Sequence, residues 1–223
     1  MSNRIILPLD DLTWDKALPI MKQTAGLVWG YKVRKIILEK GIDIISEIKE
    51  FGNVMLDFKL YDIPSAMQES LTYHFEKGAD LSTIHCSSLF NASDMSKEHK
   101  KKIVGVTVLT SFGKEWYSYQ RPDWRISKFV ENMAVDMITT SNVGNIVCSP
   151  LELEVLKNLP IKKITPGIRP EWYSTPDDQN RTSTPEYAIK NGSDYLVIGR
   201  PILKANNITD AVKMTNDEIN KSL

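Results

Sequence analysis

The sequence predicts a (β/α)8 barrel, a TIM barrel built as a single α/β domain over residues 1–223, on three observations. Eight short runs rich in Ile, Val and Leu recur along the chain, and longer amphipathic or polar stretches separate them. Several runs are apolar almost throughout rather than alternating, the pattern of parallel strands covered on both faces. No GxGxxG follows the first run, which disfavours the open dinucleotide-binding sheet, the other common solution for alternating strands and helices.

The strand candidates are Arg4–Leu9, Leu27–Val33, Val54–Lys59, Leu81–His85, Ile103–Leu109, Asn145–Cys148, Lys162–Thr165 and Tyr195–Ile198. Among the helix candidates, Lys35–Glu50 places Ile36, Ile37, Ile44, Ile45 and Ile48 on an apolar stripe. Ser65–Lys77 does the same with Met67, Leu71 and Phe75, near the i, i+4, i+8 spacing. Ile126–Thr140 and Asn207–Asn220 read similarly. Gly41 and Pro19 are expected to break or kink their helices. The stretch Pro166–Pro185, with four prolines, reads as a long loop, and long loops inside compact domains are usually functional.

Composition narrows the function. Lys plus Arg is 28 and Asp plus Glu is 28, a formal net charge of zero. Without a global positive field, neither nucleic acid nor an anionic membrane is an expected partner. The longest apolar runs are about five residues, against the ~18 of a membrane span. The apolar stretch near the start is interrupted by Pro8, Asp10 and Asp11, too early for a secretory signal. Cys86 and Cys148 cannot build a disulfide framework and are expected to be buried and inert. His74, His85 and His99 show no metal-ligand spacing. A soluble, reduced, cytoplasmic protein is expected.

In a parallel barrel the reactive face lies at the carboxyl ends of the strands. Those ends carry Asp10, Lys32, Asp57 with Lys59, His85, Ser111, Pro166 with Gly167, and Gly199 with Arg200. The two-residue strand period puts Asp57 and Lys59 on one face and turns Phe58 outward beneath the helices. Asp62 follows where the chain turns, and Pro64 suits a first helical turn. An ammonium held between carboxylates keeps its proton, because two anions favour its charge. Such a group suits delivery of a proton to carbon as a carbanion forms. The loops after strands seven and eight form the usual phosphate site of these barrels. There Gly199 lets backbone N–H groups approach oxygen atoms, and the Arg200 fork matches a phosphate. Gln179 lies in the facing loop.

With these residues in view, the chain resembles the orotidine 5′-phosphate decarboxylase family nearly end to end. The resemblance is carried by Leu-Asp10, Tyr-Lys32-Val, Asp57-x-Lys59-x-x-Asp62-Ile63-Pro64 and Ile84-His85. It continues through Val108-Leu109-Thr110-Ser111, Thr165-Pro166-Gly167-Ile168-Arg169, Asp177-Asp178-Gln179-x-Arg181 and Ile198-Gly199-Arg200-Pro201-Ile202. The DxKxxD element is shared with 3-keto-L-gulonate 6-phosphate decarboxylase and hexulose 6-phosphate synthase. The DDQxR loop and the Leu-Thr-Ser before it look specific to the orotidylate branch.

The resemblance implies conversion of orotidine 5′-phosphate to UMP in pyrimidine biosynthesis, without metal or organic cofactor. It implies that Lys59 protonates C6 and that Asp57 stands by the departing CO2. Asp62 and Ile63 would reach into the neighbouring subunit's site, making a homodimer with shared active sites. Asp10 and Lys32 would hold ribose hydroxyls, Lys32 also belonging to the Lys/Asp array, and Ser111 would read the pyrimidine edge. Gln179, Arg200 and the Gly199 backbone would grip phosphate as the loop containing Pro166 and Gly167 closes. One departure stands out: where the family commonly has a Thr contacting ribose across the dimer, this chain has Ala66.

Two other readings compete. A magnesium-dependent sugar-phosphate decarboxylase or synthase of the same barrel group would need a further acidic ligand at a strand end. A catalytically silent phosphate-binding barrel would leave the Asp/Lys array without a task. His85 reads as a structural histidine, and Trp29, Trp116 and Trp124 have no assigned role.

Overall fold

A computed structural model describes residues 3–109, 125–174 and 181–223. Eight parallel strands close into a barrel in strict chain order, the last pairing with the first. They are β1 (Ile5–Pro8), β2 (Gly30–Val33), β3 (Asn53–Leu60), β4 (Leu81–His85), β5 (Ile103–Val106), β6 (Asn145–Val147), β7 (Lys162–Thr165) and β8 (Tyr195–Val197). All eight expected strands are present. Most are shorter than the apolar runs that announced them, because buried residues continue past the ladder: Leu9, Val108, Cys148 and Ile198 are all buried beyond their strand ends.

Two apolar layers explain the unbroken hydrophobic runs. One face of the strands fills the barrel interior with Ile6, Met55, Leu81, Val104, Ile164 and Val197. The other packs against the helices, where Ile5, Leu7, Val54, Leu56, Ile84 and Ile103 join one large core. Trp29 and Tyr195 pack against the interior layer, with ring centroids 5.2 Å apart. Trp29 thereby acquires a packing role that its sequence context left open.

The helices follow their periodicity. Pro64–Glu76 starts with Pro64 in its first turn, where the missing N–H has no intrahelical partner to lose. Gly41, at φ +81°, ends the helix Lys35–Lys40 before the chain resumes as short helical turns. Pro19, by contrast, does not break its helix, which runs uninterrupted from Trp14 to Thr24. Both Pro19 and Asp15, whose carbonyl loses its i+4 donor, are exposed, so water can serve that carbonyl. Phe58 points out of the barrel, its ring 5.7 Å from that of His74. Among the described residues no helix is long and apolar enough to cross a membrane.

Candidate active site

The tips of β1 and β2 are tied side by side: the Leu9 N–H donates to the Lys32 carbonyl at 2.8 Å, and the Lys35 N–H to the Asp10 carbonyl at 3.1 Å. Their side chains therefore meet over the barrel mouth. Lys32 Nζ donates to Asp10 Oδ2 and, at 2.6 Å, to Asp57 Oδ2. Lys59 Nζ reaches the same Asp57 oxygen at 2.8 Å. The result is an alternating chain Asp10–Lys32–Asp57–Lys59, drawn from three adjacent strands. Asp57 is 8% exposed.

Burial opposes the charge on both carboxylates, and the neighbouring ammonium groups offset it to different degrees. Burial pushes the Asp57 carboxyl up, but Lys32 and Lys59 override it and hold the group at about 2. Burial pulls Lys32 down, and Asp57 and Asp10 more than compensate, so its ammonium is held above the ordinary lysine range. Asp10 has only one of the two lysines as a direct partner, and burial lifts its carboxyl above the usual value. Its other oxygen, Oδ1, is buried with no hydrogen-bond partner among the described residues. That oxygen is available to a hydroxyl donor.

Lys59 sits on an irregular stretch of β3. The β3–β4 register pairs Leu56 with Ser82 but Leu60 with Ile84, so three residues on β3 oppose one on β4. Lys59 adopts φ +51°, an uncommon left-handed conformation for a residue with a Cβ. Its N–H donates to Thr83 Oγ1 at 2.8 Å, and that hydroxyl stands 3.1 Å from Asp57 Oδ1.

A cavity of about 560 Å³ opens beside this chain. Asp10 and Lys32 line one side; Pro166, Gly167, Gly199 and Arg200 line the other. Gly167 has φ +80°, and a Cβ there would lie 2.6 Å from the Arg181 carbonyl oxygen, so no side chain fits. A Cβ on Gly199 would lie 2.9 Å from Pro8 Cγ, which explains the bare backbone at the β8 tip. The two limbs of the long loop are stitched together at their base. Ser183 N–H donates to the Gly167 carbonyl at 3.1 Å and Arg169 N–H to the Ser183 carbonyl at 2.8 Å. Arg181 is buried and paired with Glu152, whose second oxygen accepts the Ser149 N–H at 2.8 Å.

Most of the residues singled out from sequence thus converge: Asp10, Lys32, Asp57, Lys59, Pro166, Gly167, Gly199 and Arg200. Asp62 and Ile63 stand apart. Asp62 accepts the N–H of Ile63 at 2.7 Å, and Ile63 is 66% exposed. Ser111 and Gln179 lie outside the described residues, as do Trp116 and Trp124. His85 sits edge-on to Tyr61, ring centroids 6.1 Å apart. Cys86 and Cys148 are free and buried, and burial pushes the Cys148 thiol up to about 12. Three cavity or array residues carried no assignment from sequence: Arg169 and Lys204, which line the cavity with Arg200, and Thr83. Arg169 was visible inside the TPGIR motif; an exposed Lys204 and a strand Thr83 gave no signal.

A closed barrel with a cation-lined cavity at the strand carboxyl ends, beside a half-buried Lys/Asp chain, has the form of a barrel-enzyme site suited to an anionic substrate and to proton chemistry. The chain belongs to the orotidine 5′-phosphate decarboxylase / HUMPS family, whose sequence model matches residues 3–215. It is 32% identical to an orotidine 5′-phosphate decarboxylase of Synechococcus sp. (strain CC9311), covering 94% of this chain and 92% of that one. It is 34% identical to one of Aquifex aeolicus (strain VF5), covering 96% and 99%. The crystal structure of orotidine 5′-phosphate decarboxylase from Lactobacillus acidophilus superposes with a TM-score of 0.79 at 25% identity, covering 98% of this chain and 99% of that one.

Proposed function

We propose that this protein decarboxylates orotidine 5′-phosphate to UMP, a step of pyrimidine biosynthesis, acting as one catalytic domain over residues 1–223 in the cytoplasm. The observation that carries this reading is the Asp57 oxygen shared by two ammonium groups within the family's DxKxxD element.

Breaking the C6–carboxylate bond leaves its electron pair on C6, in the ring plane and out of reach of the ring π system. A fixed ammonium close to C6 stabilises that charge without reorganising at the moment of reaction. Lys59 then transfers a proton to C6, CO2 departs, and the neutral amine is reprotonated from water. Asp57, held ionised, pairs with the Lys59 ammonium and faces the departing carboxylate. Asp10, through its open Oδ1, and Lys32 take the ribose hydroxyls. The Gly199 backbone, Arg200 and Gln179 hold the phosphate, with Pro166 and Gly167 shaping the cavity wall, and Ser111 reads the pyrimidine edge. Binding energy from the remote phosphate is thereby available to the reacting centre.

Asp62 and Ile63 complete the site of a second copy in a homodimer. Exposed apolar side chains support this: Tyr61 and Ile63 are each 66% exposed, as is Leu89 just past β4. The magnesium-dependent alternative is not favoured, because the Lys32 ammonium stands between the two neighbouring carboxylates where a cation would have to sit. Incubation with orotidine 5′-phosphate, followed by ultraviolet absorbance with and without EDTA, tests the reading. Loss of substrate absorbance with formation of UMP, unaffected by EDTA, is expected; no turnover would overturn it.

A further inference from the structure

We propose that Thr83 is a positioning residue: its hydroxyl fixes the left-handed backbone of Lys59 and orients the Asp57 carboxylate, and so sets where the Lys59 ammonium stands. Thr83 is fully buried on β4, opposite the irregular stretch of β3. In a regular parallel ladder the Lys59 N–H would find a backbone carbonyl; here the register slip removes it, and a buried N–H must be paired. Thr83 Oγ1 accepts it at 2.8 Å. The hydroxyl has a single proton, and two acceptors face it: Asp57 Oδ1 at 3.1 Å and the Leu56 carbonyl at 3.3 Å. One side chain thus touches both ends of the Asp57-x-Lys59 unit. Lys32 and Lys59 occupy Asp57 Oδ2, leaving Oδ1 to Thr83, so the carboxylate is held at both oxygens. Rotation of that carboxylate, or relaxation of the Lys59 backbone toward extended geometry, would displace the ammonium from its place on Asp57 Oδ2.

This inference rests on the decarboxylase reading, and the experiment separates the two. Thr83→Val keeps the shape and removes the hydroxyl; Thr83→Ser keeps the hydroxyl. In T83V, kcat should fall about tenfold or more, the factor that loss of one such anchor corresponds to. The Kd for UMP should stay within about threefold, since binding groups are untouched, and T83S should recover most of the rate. Hydrogen exchange of the Lys59 backbone amide, followed by NMR, should accelerate in T83V and return toward wild type in T83S. Thr83→Ala, which introduces no bulk, serves if T83V does not fold. An active wild type with T83V equally fast, or a slowed T83V whose Lys59 amide keeps its protection, would overturn the positioning role. An inert wild type would instead overturn the decarboxylase reading on which it rests.

Discussion

Lys32 donates to Asp57 Oδ2 at 2.6 Å, although Lys59 already stands on the same oxygen at 2.8 Å. Two ammonium groups on one carboxylate oxygen repel each other, and the arrangement persists because Asp10 takes the far side of Lys32. Alternation of charge along the chain sets each lysine against a carboxylate, and Lys32 is held above the ordinary lysine range although burial opposes its charge.

The phosphate grip should separate from the chemistry. Arg200→Ala is expected to raise KM for orotidine 5′-phosphate about 10- to 100-fold, the range for losing hydrogen bonds to a charged group. Inhibition by uridine, which has no phosphate, should be unchanged. Steady-state kinetics with both compounds checks this, and an unaltered KM would remove Arg200 from the phosphate site.

Ala66 stands on the first turn of the helix Pro64–Glu76 and offers no side-chain donor. Ala66→Thr is expected to tighten nucleotide binding about two- to tenfold with kcat little changed, as for one added hydrogen bond. Titration with UMP measures it. Identical affinities would mean that this position makes no ribose contact.

The proposed sharing of sites between two copies predicts complementation. Lys59→Ala and Asp62→Ala homodimers should each be nearly inactive, yet mixed and allowed to exchange subunits they should regain about a quarter of wild-type activity. Half the dimers would be hybrids, each with one intact site of two. No recovery after verified exchange would place Asp62 outside the partner's site.

His74 supplies a stability switch unrelated to catalysis. Burial lowers its pKa to about 4, and its Nδ1 lies 2.9 Å from Ser82 Oγ. The unfolded chain binds a proton near the ordinary histidine value of ~6.5, so between there and about 4 it is the unfolded state that holds the extra proton. Stability is full above that window and lost as pH falls through it, by up to about 3 kcal/mol. Urea unfolding of wild type and His74→Gln across this range should show a flatter pH dependence in the variant.

Much of this was legible in the sequence. The two-sided burial of Ile6 and Leu7, or Met55 and Leu56, makes neighbouring positions equally apolar, and that is what parallel strands in a covered barrel require. The strand period placed Asp57 and Lys59 on one face, and they do meet. It did not foresee that Lys59 would need a left-handed backbone, because that conformation follows from a register slip against β4, a tertiary event with no local signature. For the same reason Thr83 looked like any strand threonine. Pro19, where propensity predicts a break or a kink, lies in a helix without a break, because an exposed carbonyl can turn to water. Arg169 sat in view within its motif, and only the shape of the cavity showed that it lines the same space as Arg200.

The most direct test of the whole account is Lys59→Ala, with kcat on orotidine 5′-phosphate and Kd for UMP measured on the same preparation. Turnover should fall at least about a thousandfold, as for loss of both the proton donor and its charge, while UMP binding stays within about tenfold. A variant that kept more than a few per cent of wild-type turnover would contradict the assignment of Lys59 as the group that protonates C6.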